Sequence, residues 1–152
     1  MNIELDRIDR HILNLLQQDN RISNQELAER VGLSPPACLR RVRKLRNDGI
    51  IMADVSLVDP RVMGRYLNII VEVEMNRDQS DVYDAFIKKM DLAAEVTQCY
   101  QVTGEVDFLL MVPDMEAYET FIRRDLSSDV NLRKFRTLIS LRRQKFKTSI
   151  EL

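Results

Sequence analysis

Apolar residues recur at helical spacing three times in the N-terminal third of the chain. Ile8, Ile12, Leu15 and Leu16 mark the buried stripe of a first helix that begins near Asp6, with Leu5 just outside it. Ile22-Ser23-Asn24-Gln25-Glu26-Leu27 holds a Ser-x-x-Glu capping box, with Ile22 and Leu27 at the positions of a hydrophobic staple. This second helix runs to Val31 and stops at Gly32. A third lies between Leu33 and Gly49. Ser34 is placed to cap it, and its first residue is Pro35 or Pro36, since proline costs little where the N–H groups lack partners. Leu39, Val42 and Leu45 fall on one side and can face a core. Arg40, Arg41, Lys44 and, at the flank, Arg43 fall elsewhere, with no acidic residue to offset them until Asp48.

The rhythm then changes. Ile50 to Val58 is rich in β-branched residues and reads as a strand or short hairpin, a wing or a connection. Asp59-Pro60 and Gly64 punctuate the chain. Leu67, Ile69, Val71, Val73 and Met75 alternate along one face of a strand. Ser80 caps a helix with Val82, Phe86, Ile87 and Met90 as its apolar stripe. Strands follow over Val96–Val102 and Asp107–Val112, joined by a turn. Pro113-Asp114 opens a helix with Met115, Tyr118, Phe121 and Ile122 inward, and a last strand runs from about Asn131 to Leu141. The expected class is α+β: an N-terminal winged helix-turn-helix domain (1–53), a linker strand (54–65), and a C-terminal ferredoxin-like βαββαβ domain (66–152). Helices cover one face of such a sheet. Ile70 and Leu138 lie off the helix-facing register, so a second subunit is the economical cover for the other face.

Two helices joined by a tight Gly-containing turn, the second basic outside and apolar inside, make a DNA-reading unit. The formal net charge of the whole chain is −1, so the positive charge must be unevenly placed. With 45% hydrophobic and 31% charged residues in 152, the chain is globular and long enough to bury a core. No apolar run is long enough to cross a bilayer, and the polar, acidic start is not a signal peptide. Cys38 and Cys99 fit no metal spacing, and a reduced, cytoplasmic protein is expected.

Enzymatic chemistry finds little material. His11 is the single histidine, which leaves almost nothing for a histidine-based metal site or a Ser-His-Asp triad. Glu105 with Asp107, and Asp125 with Asp129, are carboxylate pairs without a partner base or a phosphate-cradling loop. No catalytic residue, metal or cofactor is expected. Two rival readings stand beside the regulator: a DNA-binding or architectural protein whose C-terminal domain only oligomerises, and an amino-acid-binding module that never touches DNA.

Leu5-Asp6-Arg7-Ile8-Asp9, the run from Arg21 to Ser34, Cys38-Leu39-Arg40-Arg41-Val42 and Val102-Thr103-Gly104-Glu105-Val106-Asp107-Phe108-Leu109-Leu110 resemble the leucine-responsive regulatory protein (Lrp/AsnC, feast/famine) family. The likeness covers nearly the whole chain in order. It implies a DNA-binding domain, a linking strand, and an effector-binding and oligomerisation domain. It also implies homodimers that assemble further, often to octamers, and an amino-acid effector held between dimers. Ala37 and Gln101 depart from the pattern: many relatives carry proline at the first, and several an apolar residue at the second.

Duplex DNA is the expected macromolecular partner. Pro36, Ala37, Arg40 and Arg41 are placed near base edges, because arginine pairs with the guanine O6/N7 edge and the first turns of a recognition helix reach deepest. Lys44 and Arg43 suit phosphates, with Ser34 at the helix start. Ser23 either bonds a phosphate or is a structural cap alone. In the turn Thr103-Gly104-Glu105-Val106-Asp107, glycine lets the backbone approach a ligand, free N–H groups suit a carboxylate, and Asp107 can accept from an ammonium. Alternatively, Gly104 only permits the turn and Asp107 caps it. The resemblance implies an effector pocket here, with Gln101, Met115, Leu138 and Ile139 at its side-chain end.

Overall fold

Three helices open the chain: α1 (Arg7–Gln18), α2 (Asn24–Val31) and α3 (Pro35–Asn47). The computed structural model of the protein describes residues 4–64, 67–76 and 80–152. Residues 65 and 66, where the expected linker and C-terminal domain meet, lie outside the described residues. Caps set the helix starts. The Asp6 carboxylate accepts from Asp9 N–H at 2.8 Å and the Ser23 hydroxyl from Glu26 N–H at 3.1 Å. The capping box is half made, because the Glu26 carboxylate instead takes the Arg30 guanidinium. Gly32 ends α2 in the left-handed region at φ 71°, which a side chain would resist, and the chain then turns into α3.

Ile12, Leu13, Leu27, Ala28, Cys38, Val42 and Leu45 are buried at the centre of this helical unit. Leu39, expected inward, is exposed, and Cys38 takes the inward place. At 100° per residue, Cys38, Val42 and Leu45 form one arc, and Leu39 stands about 90° from its centre. Burial pushes the Cys38 thiol up, so at neutral pH it is an uncharged apolar filler.

The expected strand over Ile50–Val58 is not formed as part of any sheet among the described residues. No neighbouring strand offers its backbone groups a ladder, and Met52, Val55, Leu57 and Val58 stand exposed. A 3₁₀ turn at Pro60–Met63 follows, opened by the Asp59 carboxylate accepting from Arg61 N–H.

The second unit, Val58–Gln144, has the order β1 (Asn68–Met75), α4 (Ser80–Leu92), β2 (Gln98–Gln101), β3 (Phe108–Val112), α5 (Met115–Phe121) and β4 (Leu132–Ser140). The strands form one antiparallel sheet in the order β2-β3-β1-β4. Strict alternation buries Ile69, Val71, Val73 and Met75 of β1 with Phe108, Leu110 and Val112 of β3. They meet Phe86 and Met90 of α4 and Phe121 of α5. The Phe108 ring lies 4.7 Å from that of Phe86 and edge-on to Tyr83 at 5.4 Å. Met115, expected inward, is exposed at the first turn of α5. That helix continues as a π turn over Ile122–Leu126, which buries Leu126 and Asp125. Arg124 pairs with Glu95 at 2.8 Å and with Asp125 at 2.7 Å, so the buried carboxylate has a countercharge.

The chain departs from the expected division at its far end. Segment Lys145–Leu152 belongs with the helical unit and not with the sheet. No described helix is long and apolar enough to cross a membrane.

Replacing Phe108, fully buried between Phe86 and Tyr83, by alanine is expected to cost about 3–5 kcal/mol. Denaturant unfolding followed by far-ultraviolet circular dichroism checks this.

Candidate nucleic-acid interface and effector turn

The residues of α3 farthest from its buried arc are Pro36, Arg40, Arg43, Lys44 and Asn47, all exposed. Neither Arg40 nor Arg43 has an ion pair among the described residues. Lys44, about as far from the buried arc as Arg43, pairs with Asp48 one turn on, at 2.7 Å. An exposed i,i+4 pair is worth only about 0.3–0.5 kcal/mol, so a phosphate can replace Asp48.

Arg41 differs from its neighbour. It stands about 70° from the centre of the buried arc at 100° per residue, so it leans toward α1 rather than outward. Its guanidinium donates to Asp6 at 2.6 Å and to Asp9 at 2.8 Å. The side chain is 32% exposed. Asp6, the cap of α1, and Asp9, three residues on in its first turn, thus hold the recognition helix across the bundle. The Asp9 N–H bond and the Arg41 charge keep the Asp6 carboxyl below its ordinary value.

Ser34 makes no side-chain cap bond. A capping hydroxyl bonds the N–H of the second or third helical residue; Pro36, the second, has none, and the Ala37 N–H takes no bond from Ser34. The backbone start of α3 is fixed instead from α2, where the Asn24 amide donates to the Pro35 carbonyl at 2.8 Å. Ala37 is half-buried and Ser34 is exposed. Ser23 serves as the cap of α2.

The turn after β2 is closed by Val102 N–H donating to the Asp107 carbonyl at 2.9 Å. Gly104 has φ 127°, a backbone that other residues adopt only under strain, and open space lies where a Cβ would be. Thr103, Gly104 and Glu105 are exposed and Val106 is half-buried. Both Asp107 oxygens are engaged: one accepts from Met75 N–H at 2.7 Å, the other from the Tyr83 hydroxyl at 2.5 Å. The carboxylate therefore pins the start of β3 to β1 and to α4.

The other expected effector residues do not gather around this turn within one chain. Gln101 shares a row with Phe108, Val73 and Phe135, at the turn end of the sheet. Ile139 pairs with Ile69, whose other partner is Val112, just ahead of Met115. Met115 and Ile139 are thus at the opposite end. Leu138 belongs to the outer face, paired with Ile70. β2 and β4 are the two edges, about 14 Å apart across three strand spacings.

Comparison with known proteins decides the family. Residues 5–52 match the winged helix-turn-helix DNA-binding family, and residues 68–150 match the Lrp/AsnC ligand binding domain. The chain belongs to the Lrp/AsnC family. Relatives of this Lrp/AsnC chain include the leucine-responsive regulatory protein of Escherichia coli, 45% identical over 125 residues, which span 81% of this chain and 76% of that one. A transcriptional regulator of Neisseria meningitidis, solved as a complex with L-Met, matches with TM-score 0.84 and 34% identity over 97% of this chain and 96% of its own. An AsnC family regulator of Agrobacterium tumefaciens gives TM-score 0.85 and 31% identity over 96% of each chain. The Lrp/AsnC chain is accordingly a DNA-binding transcriptional regulator with a ligand-binding domain.

Sequence reasoning missed Asn24, Asp6, Asp9 and Tyr83, which position functional groups from other elements. Only the acidic first turn of α1, Asp6 and Asp9, was a local signal, and it does not name its partner.

The Asp6 carboxyl titrates below its ordinary value of 3.8 in the folded chain. It contributes stability that is present above that value and lost as pH falls through the lower folded one. Asp6→Asn keeps an acceptor for Asp9 N–H but removes the charge. Thermal melting of the helical unit between about pH 5 and pH 3 should therefore fall less steeply in the variant than in wild type.

Proposed function

We propose that this regulator reads duplex DNA with the outer face of α3 and responds to a free amino acid. The observation that carries the DNA reading is the unpaired cationic face of Arg40 and Arg43, opposite the buried arc and led by Pro36. Arg40, one turn into the helix, reaches base edges beside Pro36 and Ala37. Arg43 and Lys44 bind phosphates, with Ser34 and the start of α2 at Ser23 on the flanking backbone. Arg41 orients α3 through Asp6 and Asp9. Two such units, from two copies, sit on successive major-groove faces roughly 34 Å apart.

The dimer uses the sheet face that α4 and α5 leave uncovered. Ile70, Leu109, Met111 and Leu138 line it, with Glu72–Arg136 and Glu74–Lys134 pairs at one end. An apolar centre with charged pairs beside it suits a second copy of the same face. Higher assembly, to an octamer, unites the two halves of the effector site. The Thr103–Asp107 turn with Gln101 comes from one copy, and the Met115, Leu138 and Ile139 end from another. The turn takes the carboxylate and ammonium of an amino acid. The complex of the Neisseria regulator with L-Met supports an apolar amino acid such as methionine or leucine. The cytoplasm, where the Cys38 and Cys99 thiols stay reduced, is the expected compartment.

Selection of preferred sites from random duplexes, followed by titration, tests the DNA reading. Arg40→Ala should cost about 1–3 kcal/mol at the preferred site and relax its sequence preference. Arg43→Ala should weaken all sequences alike and lower the salt slope by about 1. Equal site affinity for Arg40→Ala and wild type would show that another face reads the bases. Calorimetry over the twenty amino acids, paired with sedimentation, tests the effector reading. One or a few should bind and shift the oligomer distribution or site occupancy, the two effects being reciprocal. Thr103→Trp should abolish that response while leaving DNA binding intact, without the backbone strain of a change at Gly104.

A further inference from the structure

The chain leaves the helical unit after Leu57, builds the sheet unit, and returns to the helical unit at Lys145. The returning segment is held by two side-chain amides on one face of α1. Gln17 donates to the Ile150 carbonyl at 2.9 Å and accepts from Ile150 N–H at 2.9 Å. Asn14 donates to the backbone oxygen of Leu152 at 3.4 Å and accepts from Leu152 N–H at 3.3 Å. The spacing explains the fit. Residues i and i+3 of a helix share a face, and residues i and i+2 of an extended chain turn their backbone groups to the same side. The two amides thus stand in for a neighbouring strand. Leu152 packs against the apolar core of the helices.

The docked segment is preceded by a basic run, Arg142-Arg143-Gln144-Lys145-Phe146-Lys147, with no acidic residue before Glu151. Lys145 and Lys147 are exposed and have no ion pair among the described residues. Two residues, Thr148 and Ser149, separate Lys147 from the Ile150 anchor, so the two are at most about 10 Å apart along the chain. Docking on α1 therefore ties two free cations to the unit that carries α3.

We propose that Lys145–Leu152 is a strap, and that its Lys145 and Lys147 are a second contact to DNA phosphate, separate from α3. The inference rests on the reading that α3 binds duplex DNA. The strap supplies affinity without sequence information, because it meets the backbone and not the bases. The Gln17 and Asn14 amides hold it where the cations arrive together with α3, so its ordering entropy is spent before DNA binds.

The test is the salt dependence of full-length chains on a selected duplex and on a random one. Each phosphate contact contributes about 0.9 to the slope of log affinity against log salt. Lys145→Gln with Lys147→Gln should lower the slope by about 1.8 on both duplexes and leave the ratio of their affinities unchanged. Gln17→Leu, which removes the clamp but no charge, should lower it in the same direction. In the same variant, amide exchange at Ile150 should be at least about tenfold faster than in wild type. A wild-type slope in the double lysine variant overturns the contact. A wild-type slope or unchanged Ile150 exchange in Gln17→Leu overturns the strap. Absence of any duplex binding by the wild-type chain overturns the DNA reading and this inference together, and is distinct from binding with an unaltered slope.

Discussion

The two carboxylates that hold Arg41 separate the basic residues of α3 into those that build the protein and those left for a ligand. Arg41 leans toward α1, where the Asp6 cap and Asp9 of the first turn meet it. With them, it becomes a cross-link between α1 and α3 at 2.6 and 2.8 Å. The Asn24 bond to Pro35 fixes the start of the same helix from α2. α3 is thus located by two polar contacts as well as by the Cys38, Val42 and Leu45 core. Arg40 and Arg43 are free to meet charge from outside. Arg41, held by two carboxylates, gains little from phosphate, whereas an unpaired cation that neutralises a phosphate releases counterions from the DNA.

Asp107 has a similar place in the sheet unit. Its two oxygens bond Met75 N–H and the Tyr83 hydroxyl, so one side chain joins β1, β3 and α4 at the root of the 103–107 turn. The turn is therefore firmly seated even though Thr103, Gly104 and Glu105 are exposed. Fixed N–H groups beside a glycine are a better anion site than mobile ones, since no ordering cost falls on binding. The sheet register also separates this turn from Met115 and Ile139, which is why the effector reading requires more than one copy of the chain.

Local signals carried most of the fold. Asp6, Ser23 and Asp114 accept from the N–H three residues on, as their positions implied, and the helices begin there. Alternation in β1 and β3 set the buried face correctly, and the βαββαβ order followed from turn residues and apolar periods. What was not legible depended on partners distant in sequence. Ser34 had the right residue type for a cap, but its hydroxyl makes no cap bond. Ile50–Val58 had strand composition, but a strand requires a neighbour. Arg41 and Arg40 are adjacent and alike in type; helical spacing turns Arg41 toward α1, but the carboxylates that meet it there lie 35 and 32 positions away. The return of Lys145–Leu152 to α1 joins residues more than a hundred positions apart, so no local pattern announces it.

The central claim is that the outer face of α3 enters the major groove at sequence-selected sites. Methylation interference at guanine N7, on a duplex selected by the full-length protein, tests it most directly. The account predicts interference in two clusters about one helical turn apart, with the guanines lost from each cluster when Arg40 is replaced by alanine. Interference that is absent, or that is the same for wild type and the Arg40 variant, would contradict it.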